Sequence, residues 1–210
     1  MGLGNARPSD VDSSAANGGR AAAGVEQTDA EIMLAVAAGD EAGYNYLVTK
    51  YHRQIIHFLY RMVHNEAVAE ELAQEVFLRV YRSRESYRAE AKFSTWLYRI
   101  ATNLAIDWRR RETRYVISRG EDAENELRRI PSGQGDSFRE TARGELSHRV
   151  REALKELTPE HREVILLREM EGRSYEEISD ILGCPKGTVM SRLHYARSHL
   201  RDLLKDLETD

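Results

Sequence analysis

Apolar residues recur at helical spacing along most of this chain, and this periodicity restricts the fold class more than any other feature. Three stripes of such residues lie within 44–62, 72–80 and 97–108. Spacings of three and four residues place the side chains of each stripe on one face of a helix. No segment shows the alternation of apolar and polar residues that is typical of a half-buried strand. The sequence therefore predicts an all-α protein.

The stripes fall into two groups, which predict two small helical domains joined by a flexible linker. Residues 29–112 hold the three stripes above, enough for a helical bundle, and residues 146–207 are helical again. Residues 113–145 carry charges of both signs and a Ser-Gly-Gln-Gly-Asp run, which indicates a linker. Residues 1–28 are rich in Gly, Ala, Ser and Asn, and we expect them to form a disordered tail.

Composition limits the kinds of function that the chain can have. The formal net charge of −4 excludes a uniformly basic nucleic-acid-binding coat, but it allows a basic surface on one element. A single cysteine, Cys184, excludes an intramolecular disulfide, and no apolar run approaches the roughly 18 residues of a membrane span. No catalytic motif, phosphate-binding loop or metal-ligand spacing is found. We therefore expect a cytoplasmic protein that is not an enzyme and has no cofactor or metal.

The most specific local pattern is a helix-turn-helix near the C-terminus. Ser174 and Glu177 have the spacing of a capping box at the start of a short helix. Gly183 supplies the left-handed residue that ends this helix, and Pro185 begins the next one. The second helix has a buried stripe formed by Val189, Leu193, Ala196 and Leu200. Two helices with this connection are typical of a DNA-binding unit.

Charge on the second helix supports that interpretation. Residues 186–201 contain four Lys or Arg residues and no acid, although the whole chain is net acidic. Ser191, His194 and Ser198 point away from the buried stripe. In such geometry the N-terminal half of the helix contacts base edges, and later basic residues contact phosphates. Met190, at the flank, is left open between packing and contact with a thymine methyl group.

A second candidate surface lies on the helix predicted over 67–81. Its apolar stripe is segregated from Glu71, Gln74, Glu75 and Leu78, which share another face at helical spacing. This face is either an ordinary solvated acidic surface or a docking surface for a basic partner helix.

A third candidate surface lies on the helix predicted over about 94–111. We expect Arg99, Thr102, Asn103 and Arg110 on its outer face, together with Ile106. Basic residues interleaved with amides suit nucleic-acid binding. Phe93 and Trp96 are left open between stacking on bases and packing in the core, and the loop 88–92 could grip a base.

Three segments in this order resemble the extracytoplasmic-function (group 4) sigma factors of bacterial RNA polymerase. They are AEELAQEVFLRVY, FSTWLYRIATNLAIDWRRR and, after the linker, LTPEHREVILLREMEGRSYEEISDILGCPKGTVMSRLHYARSHL. The resemblance covers residues 29–205. It implies that 29–112 is region 2, that 146–207 is region 4, and that the chain gives promoter specificity to core polymerase without performing chemistry.

The resemblance also implies roles for individual residues. Contacts to the polymerase β′ coiled coil are implied for Glu71, Gln74, Glu75 and Leu78. Binding of the opened −10 element, with a flipped base held at the loop 88–92, is implied for Lys92, Phe93, Asn103, Asp107, Arg110 and Arg111. Reading of the −35 element is implied for Lys186, Thr188, Ser191, Arg192, Tyr195 and Arg197. Many relatives carry a basic residue where this chain has Met190.

Further partners implied by the resemblance are the polymerase β flap, promoter DNA and an anti-sigma factor, which could hold the protein at a membrane. Two other functions remain open from the sequence. A stand-alone helix-turn-helix repressor or activator would bind its operator without polymerase and would not use Glu71 and Glu75. A helical enzyme or signalling adaptor would need a pocket or a cluster of titratable groups.

Overall fold

A computed structural model describes residues 27–118 and 142–205, and helices make up most of both ranges. The all-α prediction is confirmed. The N-terminal unit consists of α1 (Asp29–Ala37), α2 (Glu41–Val63), α3 (Glu66–Arg82), a 3₁₀ turn (Arg84–Ser86) and α4 (Phe93–Ser118). The C-terminal unit consists of α5 (Ala142–Glu156), α6 (Pro159–Ile165), a π-helical turn (Leu166–Met170), α7 (Tyr175–Leu182) and α8 (Lys186–Leu203).

Side-chain caps fix where the helices of the N-terminal unit begin. Thr28 and Glu31 form a capping box on α1, and the Asp40 carboxylate accepts from the amide of Ala42 at 3.1 Å. His64 adopts the left-handed conformation with φ of +58° and ends α2, while the Asn65 side chain caps α3. These two residues therefore end one helix and begin the next.

An apolar core with an aromatic cluster at one end holds the N-terminal unit together. The stripes of α2, α3 and α4 are buried as predicted, including Leu72, Val76 and Val80. Phe93 packs edge-on against Tyr51 with ring centroids 5.5 Å apart, and it also contacts Trp96. Such aromatic pairs add stability beyond the area they bury. The start of α4, and with it the loop 88–92, is thereby anchored on the core.

A side-chain cap and a proline mark the start of the second helix of the C-terminal unit. Thr158 caps α6 by accepting from the amide of His161, and Pro159 occupies the first helical position. The helix passes into the π-helical turn, after which Gly172 has φ of +63°, a conformation that side chains disfavour. Met170, the last residue of the π-helical turn, is half exposed.

Two helices extend further into the expected linker than the sequence predicts. The helix expected over about 94–111 runs from Phe93 to Ser118, so residues 113–118 of the expected linker are helical. At the C-terminal end of the expected linker, residues 142–145 belong to α5. Residues 119–141 of this segment and residues 1–26 of the expected tail lie outside the described part of the chain.

Two helix–helix contacts hold much of the packing between the two units. α4 lies against α7, and the C-terminal end of α2 lies against α6. At the second contact, the main-chain oxygen of Met62 accepts from Arg109 at 3.1 Å and from Arg162 at 3.3 Å. Orphan carbonyls at a helix C-terminus need donors, and here one donor comes from each unit.

Candidate nucleic-acid interface

The predicted helix-turn-helix is formed by α7 and α8. The Glu177 amide donates to Ser174 Oγ at 3.1 Å, and the Ser174 amide donates to Glu177 Oε2 at 2.8 Å. This pair is the capping box that the sequence indicates. Gly183 ends α7 with φ of +61°, and Ser179 Oγ donates to the main-chain oxygen of Cys184 at 2.6 Å. These local bonds fix the turn that presents α8.

The faces of α8 are divided as the periodicity predicts. Val189, Leu193 and Ala196 are buried, whereas Ser191, His194 and Ser198 are exposed. Among the residues assigned to −35 reading, the exposed ones are Lys186, Ser191, Tyr195 and Arg197, and the half-buried ones are Thr188 and Arg192. Met190 is 52% exposed, so the packing alternative is not realised in this structure.

Acidic residues of neighbouring elements pair with two of the basic residues on α8. Lys186 pairs with Glu176 of α7, and Arg197 Nη2 lies 2.7 Å from Glu169 Oε1 in the π-helical turn. Hydrogen bonding to Glu169 raises the pKa of Arg197. These exposed pairs are weak and screened by salt, so phosphates can replace the carboxylates as partners.

The residues assigned to the −10 element separate into an exposed set and one buried aromatic residue. The exposed set is Lys92, Asn103, Asp107, Arg110 and Arg111. Phe93 is 1% exposed and lies in the aromatic cluster with Tyr51, Tyr87 and Trp96. Of the two alternatives left open for Phe93, the structure shows packing in the core. Trp96 is half-buried beside it.

One expectation about the outer face of α4 is wrong. Thr102 was expected there with Arg99 and Asn103, but it has no exposed surface. The physical reason is that α7 packs against this side of α4, while Arg99 and Asn103 remain exposed at the edge of the contact. Arg99 and Asn103 line one wall of an open groove whose other wall is formed by residues 179–184.

The candidate docking face on α3 has the arrangement that the sequence predicts. Glu71 and Gln74 are exposed, Glu75 is half-buried, and Leu78 is 40% exposed beside them. Glu75 Oε1 accepts from Arg79 Nε at 2.8 Å across one helical turn. We call these four residues, Glu71, Gln74, Glu75 and Leu78, the α3 stripe. It combines acidic groups with a partly exposed apolar residue.

A buried polar cluster between the units was missed by the sequence analysis. Arg162 is only 3% exposed and donates to the main-chain oxygens of Leu154, Lys155 and Leu157, which end α5. Burial, reinforced by the nearby Arg109, lowers the pKa of Arg162 to about 9. Arg162 shares the buried stripe of its helix with Ile165 and Leu166, and an arginine in such a stripe was the available signal.

Two titratable groups in this cluster have shifted pKa values. Burial, together with the positive charges of Arg162 and Lys155, lowers the pKa of His64 to about 3. Burial and the nearby Glu160, opposed by Arg192, raise the pKa of Glu163 to about 7. His64 is therefore neutral in the folded protein at neutral pH, and Glu163 titrates there.

Glu163→Gln is expected to change how stability depends on pH. Because the folded pKa of Glu163 lies above its ordinary value, its contribution to stability is full below about pH 4.5 and is lost as pH rises through about 7. The glutamine variant lacks this loss, so its stability relative to wild type should increase from pH 5 to pH 8, by up to about 1.4 kcal/mol per pH unit. Urea titrations at each pH measure the difference, and His64 cancels because both proteins contain it.

Asp180→Asn is the control, since it removes an exposed carboxylate of the same unit. Its stability difference from wild type should change little across this pH range. If the free energies of unfolding of wild type and Glu163→Gln depend on pH in the same way, the raised pKa of Glu163 is contradicted.

Two family models match the chain and together cover most of the described residues. The model described as Sigma-70 region 2 matches residues 47–115, and the model described as Sigma-70, region 4 matches residues 147–200. The first match contains the α3 stripe and α4 up to residue 115, and the second contains the helix-turn-helix. In the part of the chain that the structure describes, no helix is both long and apolar enough to cross a membrane.

Curated relatives match over nearly their whole length. RNA polymerase sigma-H factor of Pseudomonas aeruginosa is 33% identical over 197 residues, which are 87% of this chain and 96% of the relative. ECF RNA polymerase sigma-E factor of Haemophilus influenzae is 35% identical, over 86% of this chain and 97% of the relative. ECF RNA polymerase sigma factor SigW of Bacillus subtilis is 36% identical, over 82% of this chain and 94% of the relative.

Solved structures agree with the fold. The sigma factor RpoE, crystallised with the anti-sigma factor NepR from Bartonella quintana, is similar with a TM-score of 0.62 and 26% identity, over 77% of this chain and 96% of that chain. CnrH in complex with the cytosolic domain of CnrY has a TM-score of 0.63 at 24% identity, over 85% of this chain and 97% of that chain. This similarity supports the fold alone. With both regions present in order and relatives above 30% identity across their length, the chain belongs to the extracytoplasmic-function sigma factors of the sigma-70 family, which are not enzymes.

Proposed function

We propose that the protein uses three separate surfaces to direct core RNA polymerase to its promoters. The α3 stripe docks on the β′ coiled coil, and the loop 88–92 with the exposed edge of α4 holds the opened −10 strand. α8 reads the duplex −35 element, and the C-terminal unit contacts the β flap. The observation that carries the proposal is that the assigned residues, apart from Phe93, are exposed or half-buried on different helices.

The domain limits follow from this assignment. We assign 29–112 to region 2, 113–145 to the linker and 146–207 to region 4. The support is that the matched segment 47–115 overlaps all but the first 18 residues of the proposed region 2, and that 147–200 lies inside the proposed region 4. The continuation of α4 to Ser118 adds a short helical extension to the start of the linker.

Capture of a base at the −10 element depends on a loop that holds its shape. Extruding a base costs a few kcal/mol, which contacts in the pocket must offset. Phe93 supports this function from beneath, because its packing against Tyr51 and Trp96 anchors the end of the loop 88–92. Lys92, Asn103 and Arg110 then meet the strand from the exposed side.

We further propose an anti-sigma factor as a regulatory partner in the cytoplasm. The support is the sigma factor RpoE, 26% identical to this chain, which was crystallised with the anti-sigma factor NepR. A membrane-bound anti-sigma factor would hold the protein at the membrane until its release.

Run-off transcription with core polymerase on a library of genomic fragments tests the proposal. Discrete start sites that appear only when the protein is added, with shared sequences near −10 and −35, are expected. Specific operator binding by the isolated chain, together with no change in transcript start sites, would instead support a stand-alone regulator.

We expect Arg192→Ala to change which −35 sequences are used, and Arg197→Ala to weaken binding to all of them. Arg192 lies in the N-terminal half of α8, so its loss should relax preference at one base pair and cost about 1–3 kcal/mol there. Arg197, one turn later and exposed, should contact phosphate; its loss should weaken all promoters alike and lower the salt slope by about one. Holoenzyme transcription from a randomised −35 library at two salt concentrations measures both effects.

If both variants lose activity uniformly across the library, Arg192 contacts phosphate or only packs. Specificity would then depend on Lys186, Thr188, Ser191 and Tyr195.

A further inference from the structure

One face of α2 carries positive charge to which the proposed function assigns no partner. Residues 46–61 contain three Lys or Arg residues and no Asp or Glu, although acidic residues outnumber basic ones in the whole chain. The spacing of Lys50, His57 and Arg61 places them along one side of the helix. Lys50 and His57 are exposed and Arg61 is half-buried. We call these three residues the α2 basic face.

The α2 basic face forms one wall of an open groove. The groove has a volume of about 560 Å³, within the roughly 300–1,000 Å³ of small-molecule sites. Ser94 at the start of α4 and residues 170, 171 and 173 of the C-terminal unit line the opposite side. Of the described residues that line the groove, Lys50, Arg61 and Arg173 are cationic and Glu171 is the one carboxylate. The groove therefore favours an anion.

The carboxylates in and beside the groove already have partners. Glu171 accepts a hydrogen bond from the Tyr98 hydroxyl. Asp29, which lies outside the groove lining, pairs with Lys50 across 2.7 Å between Oδ1 and Nζ. This second pair is largely exposed, and such pairs are weak enough for another anion to compete for the ammonium group.

Two guanidinium groups on opposite walls keep their charge uncompensated. In the part of the chain that the structure describes, no carboxylate lies within ion-pair distance of Arg61 or Arg173. Arg173 Nη1 donates to the neutral Ser94 Oγ at 2.7 Å, and Arg173 Nε is buried without a hydrogen-bond partner. Guanidinium groups bind phosphate through paired hydrogen bonds, so Arg61 and Arg173 suit a ligand that carries phosphoryl groups.

The spread of the cations indicates the size of the anion. Lys50 and Arg61 are eleven residues apart on α2, which is roughly 16 Å along the axis at about 1.5 Å per residue. A single phosphate ion is too short to contact both ends of this wall. A chain of phosphoryl groups, alone or joined to a nucleoside, is long enough. Met170 is half exposed at the groove and offers an apolar contact to a base.

We propose that this groove binds a polyphosphate group, either as a free anion or as part of a nucleotide. Arg61 and Arg173 hold the phosphoryl groups from opposite walls, and Lys50 and His57 contact the rest of the chain. The site goes beyond promoter recognition, because none of its residues has an assigned contact to DNA or polymerase. A ligand that binds the folded protein stabilises it by mass action, so Tm rises with ligand concentration.

Calorimetric titration of the full chain tests the proposal with pyrophosphate, adenosine triphosphate, inorganic phosphate and adenosine. We expect pyrophosphate and adenosine triphosphate to bind and to raise Tm. Inorganic phosphate should bind about tenfold more weakly, because it loses at least one charge-assisted contact, and adenosine should not bind. Tighter binding of adenosine triphosphate than of pyrophosphate would identify a nucleotide as the source, and equal affinities would identify a free polyphosphate.

Variants on both walls locate the bound anion. Arg61→Gln and Arg173→Gln should each weaken pyrophosphate binding about tenfold, since each removes one charge-assisted contact. Arg82→Gln is the matched control, because it removes an exposed cation of the N-terminal unit that does not line the groove. Its affinity should equal that of wild type. Far-UV circular dichroism checks that all the variants fold alike.

Absence of binding by pyrophosphate and adenosine triphosphate at millimolar concentrations would overturn the proposal. Binding that neither variant weakens would also overturn it, and so would binding weakened by Arg61→Gln alone, which places the anion outside the groove. A single-stranded oligonucleotide that binds through Arg61 without competition from pyrophosphate would show that the groove belongs to DNA. Transcription is not a readout here, so a failure of the promoter assignments leaves this test intact.

Discussion

Arg162→Met is expected to lower the free energy of unfolding by about 3 kcal/mol, because each buried acceptor left without a partner costs about 1–3 kcal/mol and removal of the buried charge offsets part of the total. The Arg162 guanidinium donates to the main-chain oxygens of Leu154, Lys155 and Leu157. These carbonyls lie at the end of α5, where no further helical turn supplies donors. Methionine fills a similar volume but donates no hydrogen bond, so the oxygens of Lys155 and Leu157 lose this donor in a site that water reaches poorly. The Leu154 oxygen keeps only the long bond from the Leu157 amide, at 3.4 Å.

Tryptophan fluorescence and circular dichroism distinguish unfolding of the N-terminal unit from loss of helix in both units. Both tryptophans, Trp96 and Trp108, lie in the N-terminal unit, whereas circular dichroism reports helices of both units. In urea titrations of Arg162→Met, we expect the circular dichroism transition to begin at lower urea than the fluorescence transition, because α5 and α6 lose their connection first. Arg201→Met, an exposed change on α8, should stay within about 0.5 kcal/mol of wild type. An equally small effect for Arg162→Met would contradict the role assigned to Arg162.

Glu75→Arg is expected to weaken binding to core polymerase by about 3 kcal/mol, roughly a hundredfold in Kd. The new cation would face the basic partner surface that the α3 stripe is proposed to meet, and juxtaposed like charges at an interface cost several kcal/mol. Within α3 the change replaces the pair with Arg79 by two arginines one turn apart. This costs the helix only about 0.2–0.5 kcal/mol, so the fold is preserved.

Titration of labelled protein with core polymerase measures the affinity. Glu85→Arg is the matched control, because it makes the same change of charge on an exposed residue of the N-terminal unit outside the α3 stripe. Its affinity should equal that of wild type. The docking assignment fails if Glu75→Arg binds as tightly as Glu85→Arg.

Much of the candidate site could be predicted because its determinants are local. The capping box of Ser174 and Glu177, the left-handed Gly183 and the stripe on α8 each depend on residues within a few positions of one another. The same holds for the α3 stripe, since helical spacing alone separates Glu71 from Leu72. The order of the quoted segments then identified the family.

Other features depended on which helices meet, which spacing does not encode. Thr102 lies at an angle on α4 that a lone helix would expose, and α7 buries it. Phe93 and Trp96 could have stacked on bases, and the position of Tyr51 on another helix placed Phe93 in the core. The sequence contains Arg162 and Met62 but gives no reason to bring them together, because they are 100 residues apart.

By itself, then, the sequence determined the helices, their caps, the helix-turn-helix and the family, because short-range periodicity, capping and motif order carry that information. Only the tertiary structure decided that Arg173 contacts Ser94 of α4, that Thr95 and Thr102 are buried, and that Arg162 joins the two units. The physical reason is that burial and long-range hydrogen bonds arise from the packing of whole helices, and each helix surface offers several faces on which another helix can pack.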